Sequence, residues 1–381
     1  MHNFPSNENT GSIDRGLYVH IPFCVRKCAY CDFYSLSDRS DLVGPYIDAV
    51  LDEGAAYGGM SFHTLYIGGG TPSVIGSANL KKLIDGLRRC FDLSSVVEAT
   101  IETNPESAID ELLSAALESG FGRISIGVQS LSDSELRSVG RVHIAEQAAE
   151  ALTRARRAGF KSISADLIVG LPGQSRESLR GSIEGLIDTG VDHLSLYCLS
   201  LEPGTPLAAE PPRDLPTDDE QAELFDAARS LLIESGFIHY EISNFAVEGH
   251  GCLHNLNYWR GGEYLGLGPA AASHLDGKRF KNRADLDAYL HDPNDILDEI
   301  EELSPIDKSA EEAMLRLRLL REGIDVVSFT KRYGLKNVYE LLYRLEKLMG
   351  EGLLVFDGTS YRLEPSQVLV SNPILARVLS D

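Results

Sequence analysis

Residues 17–35 read LYVHIPFCVRKCAYCDFYS, and the reading of this stretch decides the fold. The β-branched and aromatic run Leu17 to Ile21 has the composition of a strand. It leads directly into Cys24, Cys28 and Cys31, spaced C-x3-C-x2-C. Four-iron clusters are held by Cys thiolates, so three thiolates on one loop can hold three irons and leave the fourth open to another ligand. Zinc is the competing reading. A closed zinc site takes four ligands, commonly as two close pairs, and no second pair follows nearby. The spacing favours iron–sulfur and leaves zinc in play.

Working outward, six short apolar runs recur with helical stretches between them: LYVHI, TLYIGGG, ATIETNP, RISIGVQS, SISADLIVGL and HLSLYCLS. Strands alternating with helices of this length specify βα units and a parallel sheet. Residues 107–118 put Ala108, Leu112, Ala115 and Ala116 on one helical face, and Gly120 supplies a stop. Residues 146–158 and 176–188 read the same way and end at Gly159 and Gly190. Six units are too few for a closed eight-unit barrel. The expectation is an open, curved sheet that gathers ligands at the C-terminal ends of its strands.

After Leu201 come five prolines between Pro203 and Pro216, which predict an extended loop. A helix over 218–234 and a strand in FIHYEIS follow. Residues 249–268 are rich in glycine and aromatics and are expected to be irregular. Residues 292–302, DPNDILDEIEE, carry six acids and no base and read as a solvated linker or helix face. Ala313, Met314, Leu317 and Leu320 define one further helix, and Val338, Leu341, Leu342, Leu345 and Leu348 another. LLVFDGTSYRL then predicts a hairpin turning at Asp357 and Gly358. The expected division is a polar tail (1–16), an α/β core (17–235), a glycine- and aromatic-rich extension (236–290) and a small winged-helix-like domain (291–381).

The chain has 381 residues, 43% hydrophobic and 24% charged, which suits one large and one small globular domain. Its net charge of -22 argues against nucleic-acid binding and against anionic membrane surfaces. Self-repulsion that keeps the chain in solution is the simpler meaning. The opening MHNFPSNENTGSIDRG lacks an apolar core, so no signal peptide is expected, and no run predicts a stable membrane insertion. Cys90, Cys198 and Cys252 are scattered without disulfide-framework spacing. A reducing cytoplasm is the expected compartment, with the chain alone or as a homodimer.

Polar groups fall at the strand ends. Gly68, Gly69 and Gly70, with Thr71 and Pro72, close the second strand, where glycines let backbone approach a ligand. The run lacks the spacing of nucleotide phosphate loops. Glu102 ends the third strand, Gln129 the fourth, and Asp166 lies in the fifth. A carboxylate in a buried strand is costly unless hydrogen-bonded, so such residues commonly serve a site. His250, Cys252 and His254 lie around HNLNYW; imidazole and thiolate both ligate heme iron, and packing alone is an equal explanation. His20, before the cysteines, suits a proton donor or a satisfied core histidine.

YVHIPFCxxxCxYCDF, followed in order by GGGTP, ETNP, GVQS, GRVH and GLPGQ, resembles the radical S-adenosylmethionine (SAM) superfamily, in its oxygen-independent coproporphyrinogen oxidase-like branch. HNxxYW is similar to a hallmark of the heme chaperones within that branch. The resemblance implies a partial (β/α)6 TIM-like radical SAM barrel and a [4Fe-4S] cluster on Cys24, Cys28 and Cys31, with SAM on the open iron. It places SAM against Tyr18, Gly69, Gly70, Thr71, Glu102, Gln129, Arg141 and Asp166, and matches Ser200 by position only. The dehydrogenases of the branch carry a further Cys two residues after the third; Phe33 stands there. The function implied is heme binding and transfer to an acceptor apoprotein. Oxidative decarboxylation of coproporphyrinogen III, or a related radical SAM methyl transfer, is the alternative.

Overall fold

The computed structural model describes residues 15–379. Most of the expected tail therefore lies outside the described residues, and Arg15 and Gly16 already belong to the first strand. Six parallel strands form the heart of the molecule: β1 (Arg15–Ile21), β2 (Thr64–Gly69), β3 (Glu98–Thr103), β4 (Arg123–Gln129), β5 (Ser162–Val169) and β6 (His193–Cys198). They lie side by side in chain order, as consecutive crossovers dictate. The linking helices are α1 (Val43–Ala56), α2 (Gly76–Cys90), α3 (Asp110–Glu118), α4 (Ala145–Ala158) and α5 (Arg176–Asp188). α6 (Asp218–Glu234) follows β6 and is capped at its start by Thr217.

The strands alternate faces with period two. Leu17, Val19 and Ile21 of β1 and Leu65 and Ile67 of β2 join one continuous core with Leu80, Leu83 and Leu87 of α2. The opposite face carries Gly16, Tyr18, His20, Tyr66, Glu102 and Asp166, and this polar face lines the lumen.

The sheet does not close. β7 (Ile238–Glu241) and β8 (Asn244–Ala246) extend it antiparallel beyond β6. On the other side β9 (Glu263–Leu267) runs parallel to β1, followed by antiparallel β10 (Ala272–Leu275), β11 (Lys278–Asn282) and β12 (Leu297–Glu302). The result is a twelve-stranded open sheet.

Two expectations are corrected here. Residues 249–268 are not irregular: they hold α7 (Leu253–Trp259), which buries His254 and Leu256, and β9, which finds β1 as a neighbour. The acidic segment 292–302 ends in an exposed edge strand, not a linker or helix face. Its acids meet bases across the ladder, with Lys278 opposite Glu302 and Lys281 opposite Glu299. A charged edge of this kind also discourages pairing with another chain.

The C-terminal residues form α8 (Pro305–Arg316), α9 (Val326–Tyr333), α10 (Leu335–Gly350) and α11 (Ser371–Leu379) around a small sheet. That sheet comprises β13 (Ile324–Asp325), β14 (Leu354–Phe356) and β15 (Ser360–Leu363), a winged-helix-like arrangement. The hairpin turns at Asp357 and Gly358 as expected, with Asp357 accepting from Thr359 and Ser360. α8 stops before Leu317 and Leu320, since the chain leaves the helix to bridge Leu319 to Glu241.

Candidate functional site

The cysteine loop leaves the C-terminal end of β1 and is tied to the end of β2. Gly70 N donates to Ile21 O at 2.8 Å, and Thr71 N to Phe23 O at 2.7 Å. A Cβ on Gly70 would lie 2.7 Å from Phe23 O and 3.0 Å from the Cys24 thiol. Gly69 adopts φ +116°, and a Cβ there would meet the His20 ring at 2.9 Å. Glycine is thus required by contact at both positions.

Around the loop the polar side chains converge. The Thr71 hydroxyl donates to Cys24 Sγ at 3.5 Å, and Arg141 Nη1 to Cys28 Sγ at 3.4 Å. Asn104 joins the two: its amide donates to Thr71 Oγ1 at 3.0 Å, while its Oδ1 accepts from Arg141 Nη2 at 2.8 Å. Asn104 was not singled out in the sequence, although its place in ETNP, two residues after Glu102, marked it. Burial raises the Cys31 thiol, and the neighbouring Cys28 and Cys24 raise it further.

Deeper in the lumen, Glu102 accepts from Tyr66 OH at 2.6 Å and Gly69 N at 3.1 Å. Burial pushes its carboxyl up to about 7 against these hydrogen bonds, with Asp166 adding to the shift. Burial also raises Asp166, which accepts from Ser125 at 3.2 Å. Tyr66 and Ser125 are further lumen residues that the motifs did not mark. The Tyr18 hydroxyl lies 3.0 Å from His20 Nδ1, and burial followed by Glu102 drives its pKa upward. His20 also donates from Nε2 to Tyr34 O at 2.8 Å, so both its nitrogens are satisfied. Gln129 ends β4 at φ +69° beside a register shift. A non-glycine residue held there costs on the order of 1–3 kcal/mol, a pattern that clusters at functional sites. Ser200 lies exposed beyond the end of β6.

The residues present fit a cluster with a small polar ligand. The buried Arg141 Nε has no hydrogen-bond partner among the described residues. The glycine turn leaves a cradle that side chains would fill. Among the described residues no group of three or more His, Cys, Asp or Glu is placed to hold a single metal ion.

The three heme candidates lie elsewhere. α7 plugs the floor of the lumen, under the N-terminal ends of β2 to β5. A six-residue strand separates this floor from the cysteine loop by about 20 Å. His254 is buried, with Nδ1 2.7 Å from Thr64 Oγ1 and Nε2 2.7 Å from Tyr258 OH. Burial holds its imidazole down to about 3. Cys252 is buried too, its thiol 3.6 Å from Glu98 and pushed up to about 12 by burial and that carboxylate. His250 is half-buried, with Nδ1 3.3 Å from Ser162 Oγ. His254 and Cys252 are thus already bonded, and ligation by either would first have to break those bonds.

A parallel (β/α) sheet with three cysteines facing a glycine turn defines the class, the radical SAM proteins. The Radical SAM superfamily matches residues 18–186, and the HemN C-terminal domain matches residues 303–370. The chain is 34% identical to the heme chaperone HemW of Escherichia coli, over 96% of this chain and 98% of that protein. It is 33% identical to the heme chaperone HemW of Lactococcus lactis, over 96% and 97%. The chain belongs to the HemW family. A solved structure of coproporphyrinogen III oxidase (HemN) from Escherichia coli shares the fold, with a TM-score of 0.83 over 97% of this chain and 90% of that one. At 24% identity this is a likeness of fold. No helix among the described residues is long and apolar enough to cross a membrane.

Proposed function

We propose that this protein is a cytoplasmic heme chaperone that binds heme, carries a SAM-coordinated [4Fe-4S] cluster and passes the heme to an acceptor apoprotein. The likeness to HemW proteins along nearly the whole chain carries this reading. Phe33 supports it, standing exposed where the dehydrogenases of the branch carry a further Cys.

In this reading Cys24, Cys28 and Cys31 would hold three irons of the cluster and leave the fourth to SAM. The cluster with SAM supplies one-electron chemistry when both are bound. The chain's own residues position SAM. Gly69, Gly70 and Thr71 receive its amino end, Arg141 pairs its carboxylate, and Glu102 and Asp166 accept from its hydroxyls. Tyr18 and Gln129 complete the wall. His250, Cys252 and His254 are the heme ligands suggested by the HNxxYW resemblance, and of these His250 has the most accessible ring.

A second reading, radical chemistry on a tetrapyrrole, is favoured by the HemN-like fold and by the carboxylate-lined lumen. One preparation separates the two. Anaerobically reconstituted protein is titrated with heme and assayed for coproporphyrinogen turnover. The expected result is a four-iron cluster, about one heme per chain and no turnover. Decarboxylation without stable heme binding overturns the chaperone reading.

A further inference from the structure

A partly open cleft of about 360 Å³ lies beside the lumen, between the face of β9 to β11 and helices α8 and α9. Its volume falls within the roughly 300–1,000 Å³ of small-molecule sites. Aromatic rings from separate elements wall it: Tyr258 and Trp259 of α7, Tyr264 of β9 and Tyr333 of α9. The Tyr258 and Tyr264 rings meet edge-on at 4.5 Å, and Tyr264 lies across the ladder from His274 of β10.

His274 lines this cleft and is arranged as a metal ligand. Its Nδ1 lies 3.2 Å from the Gly262 carbonyl. A carbonyl oxygen only accepts, so Nδ1 carries a proton and Nε2 is the ring nitrogen left to bind iron. That nitrogen has no partner among the described residues. Donation of the other ring N–H to a carbonyl is the usual support of a metal-ligating histidine. His254 offers the opposite picture, with both nitrogens committed to hydroxyl groups.

The rest of the lining suits a flat ligand with an anionic edge. Lys308 makes no ion pair among the described residues. The acids nearby are paired, Glu312 with Arg316 at 2.7 Å and with Arg332 at 3.2 Å, and Glu311 with Arg279, which it shares with Glu301. Trp259 Nε1 is a buried donor without a partner.

We propose that an iron-bearing tetrapyrrole binds in this cleft with His274 as its axial ligand and Lys308 on its carboxylate edge. In this arrangement HNLNYW supplies the wall: Tyr258 and Trp259 face the ligand, and His254 braces the Tyr258 hydroxyl from below. The inference rests on the heme-binding reading above and names the site it uses.

The test is a heme titration of the full-length, anaerobically reconstituted chain, followed by its Soret band and electron paramagnetic resonance. Cluster absorbance reports folding in every variant. His274→Ala is expected to weaken binding at least about tenfold, the loss seen when even a supporting partner of a metal ligand is removed. It should also abolish the wild-type axial signature, and added imidazole should restore it. His291→Gln, at an exposed histidine outside the cleft, should keep the signature. Lys308→Glu should weaken binding of heme and leave binding of its dimethyl ester unchanged. An unaltered spectrum and affinity in His274→Ala overturns the assignment. So does loss of the signature in His291→Gln with the cluster intact. Wild-type protein that binds no heme overturns the chaperone reading itself, an outcome distinct from both.

Discussion

Glu102 holds its carboxyl near the border between charged and neutral, pushed up to about 7 by burial, and Glu53 does the same. Both titrate in the ordinary carboxylate range when the chain is unfolded, so folding takes up protons between that range and 7. The neutral carboxyls therefore favour the fold fully at acid pH, and that contribution is lost as the pH rises through about 7. We expect the urea midpoint of the cofactor-free chain to fall between about pH 5 and pH 8. Glu102→Gln should flatten the fall; an unchanged profile in the variant would assign the effect elsewhere. At this scale the sequence was informative where a residue's chemistry conflicts with its setting. A carboxylate in a strand is conspicuous. Asn104 was not, because an asparagine before a proline suits a turn equally well and its bonds to Thr71 and Arg141 exist only in three dimensions.

Two element-level joints have measurable consequences. The first is the contact of the β2 turn with the cysteine loop. Gly70→Ala should displace the loop and cost about 1–3 kcal/mol of overpacking. Its signature is iron content well below wild type after reconstitution, with the far-ultraviolet circular dichroism retained. The second joint is Glu53 of α1, whose carboxylate accepts from Gly268 N at 2.8 Å, Asn282 Nδ2 at 2.7 Å and Tyr289 OH at 2.6 Å. It fastens the added strands β9 to β11 to the first helix. Glu53→Ala strands three buried donors at about 1–3 kcal/mol each, so a loss of roughly 3 kcal/mol or more is expected in chemical denaturation. α5 was legible to the residue from its apolar spacing and stop, and α6 lies over the helix expected at 218–234. α7, β9 and β12 were not. β9 is a strand because β1 lies beside it, more than two hundred residues away in the chain, and no local pattern records that pairing.

At the scale of the molecule, the cysteine loop and the lateral cleft share little beyond Tyr18, which stands between them on β1. Replacing Cys24, Cys28 or Cys31 by Ala should abolish the cluster, read as lost iron and lost absorbance near 400 nm, about where such clusters absorb. Heme affinity should stay within about threefold of wild type, less than 1 kcal/mol. Coupled loss of both ligands would mean that cluster and heme occupy one site. The open sheet was legible from six strands that cannot close a barrel. Its width was not: of the six further strands only the one in FIHYEIS was legible from composition.

The α7 floor carries one last implication. His254, Cys252 and Arg123 are all buried there, and Arg123 is anchored to Ser162 and the His250 carbonyl. Packed side chains thus close the N-terminal end of the lumen, so the cluster and a ligand reaching Glu102 and Asp166 would share the opposite end, where the cysteine loop lies.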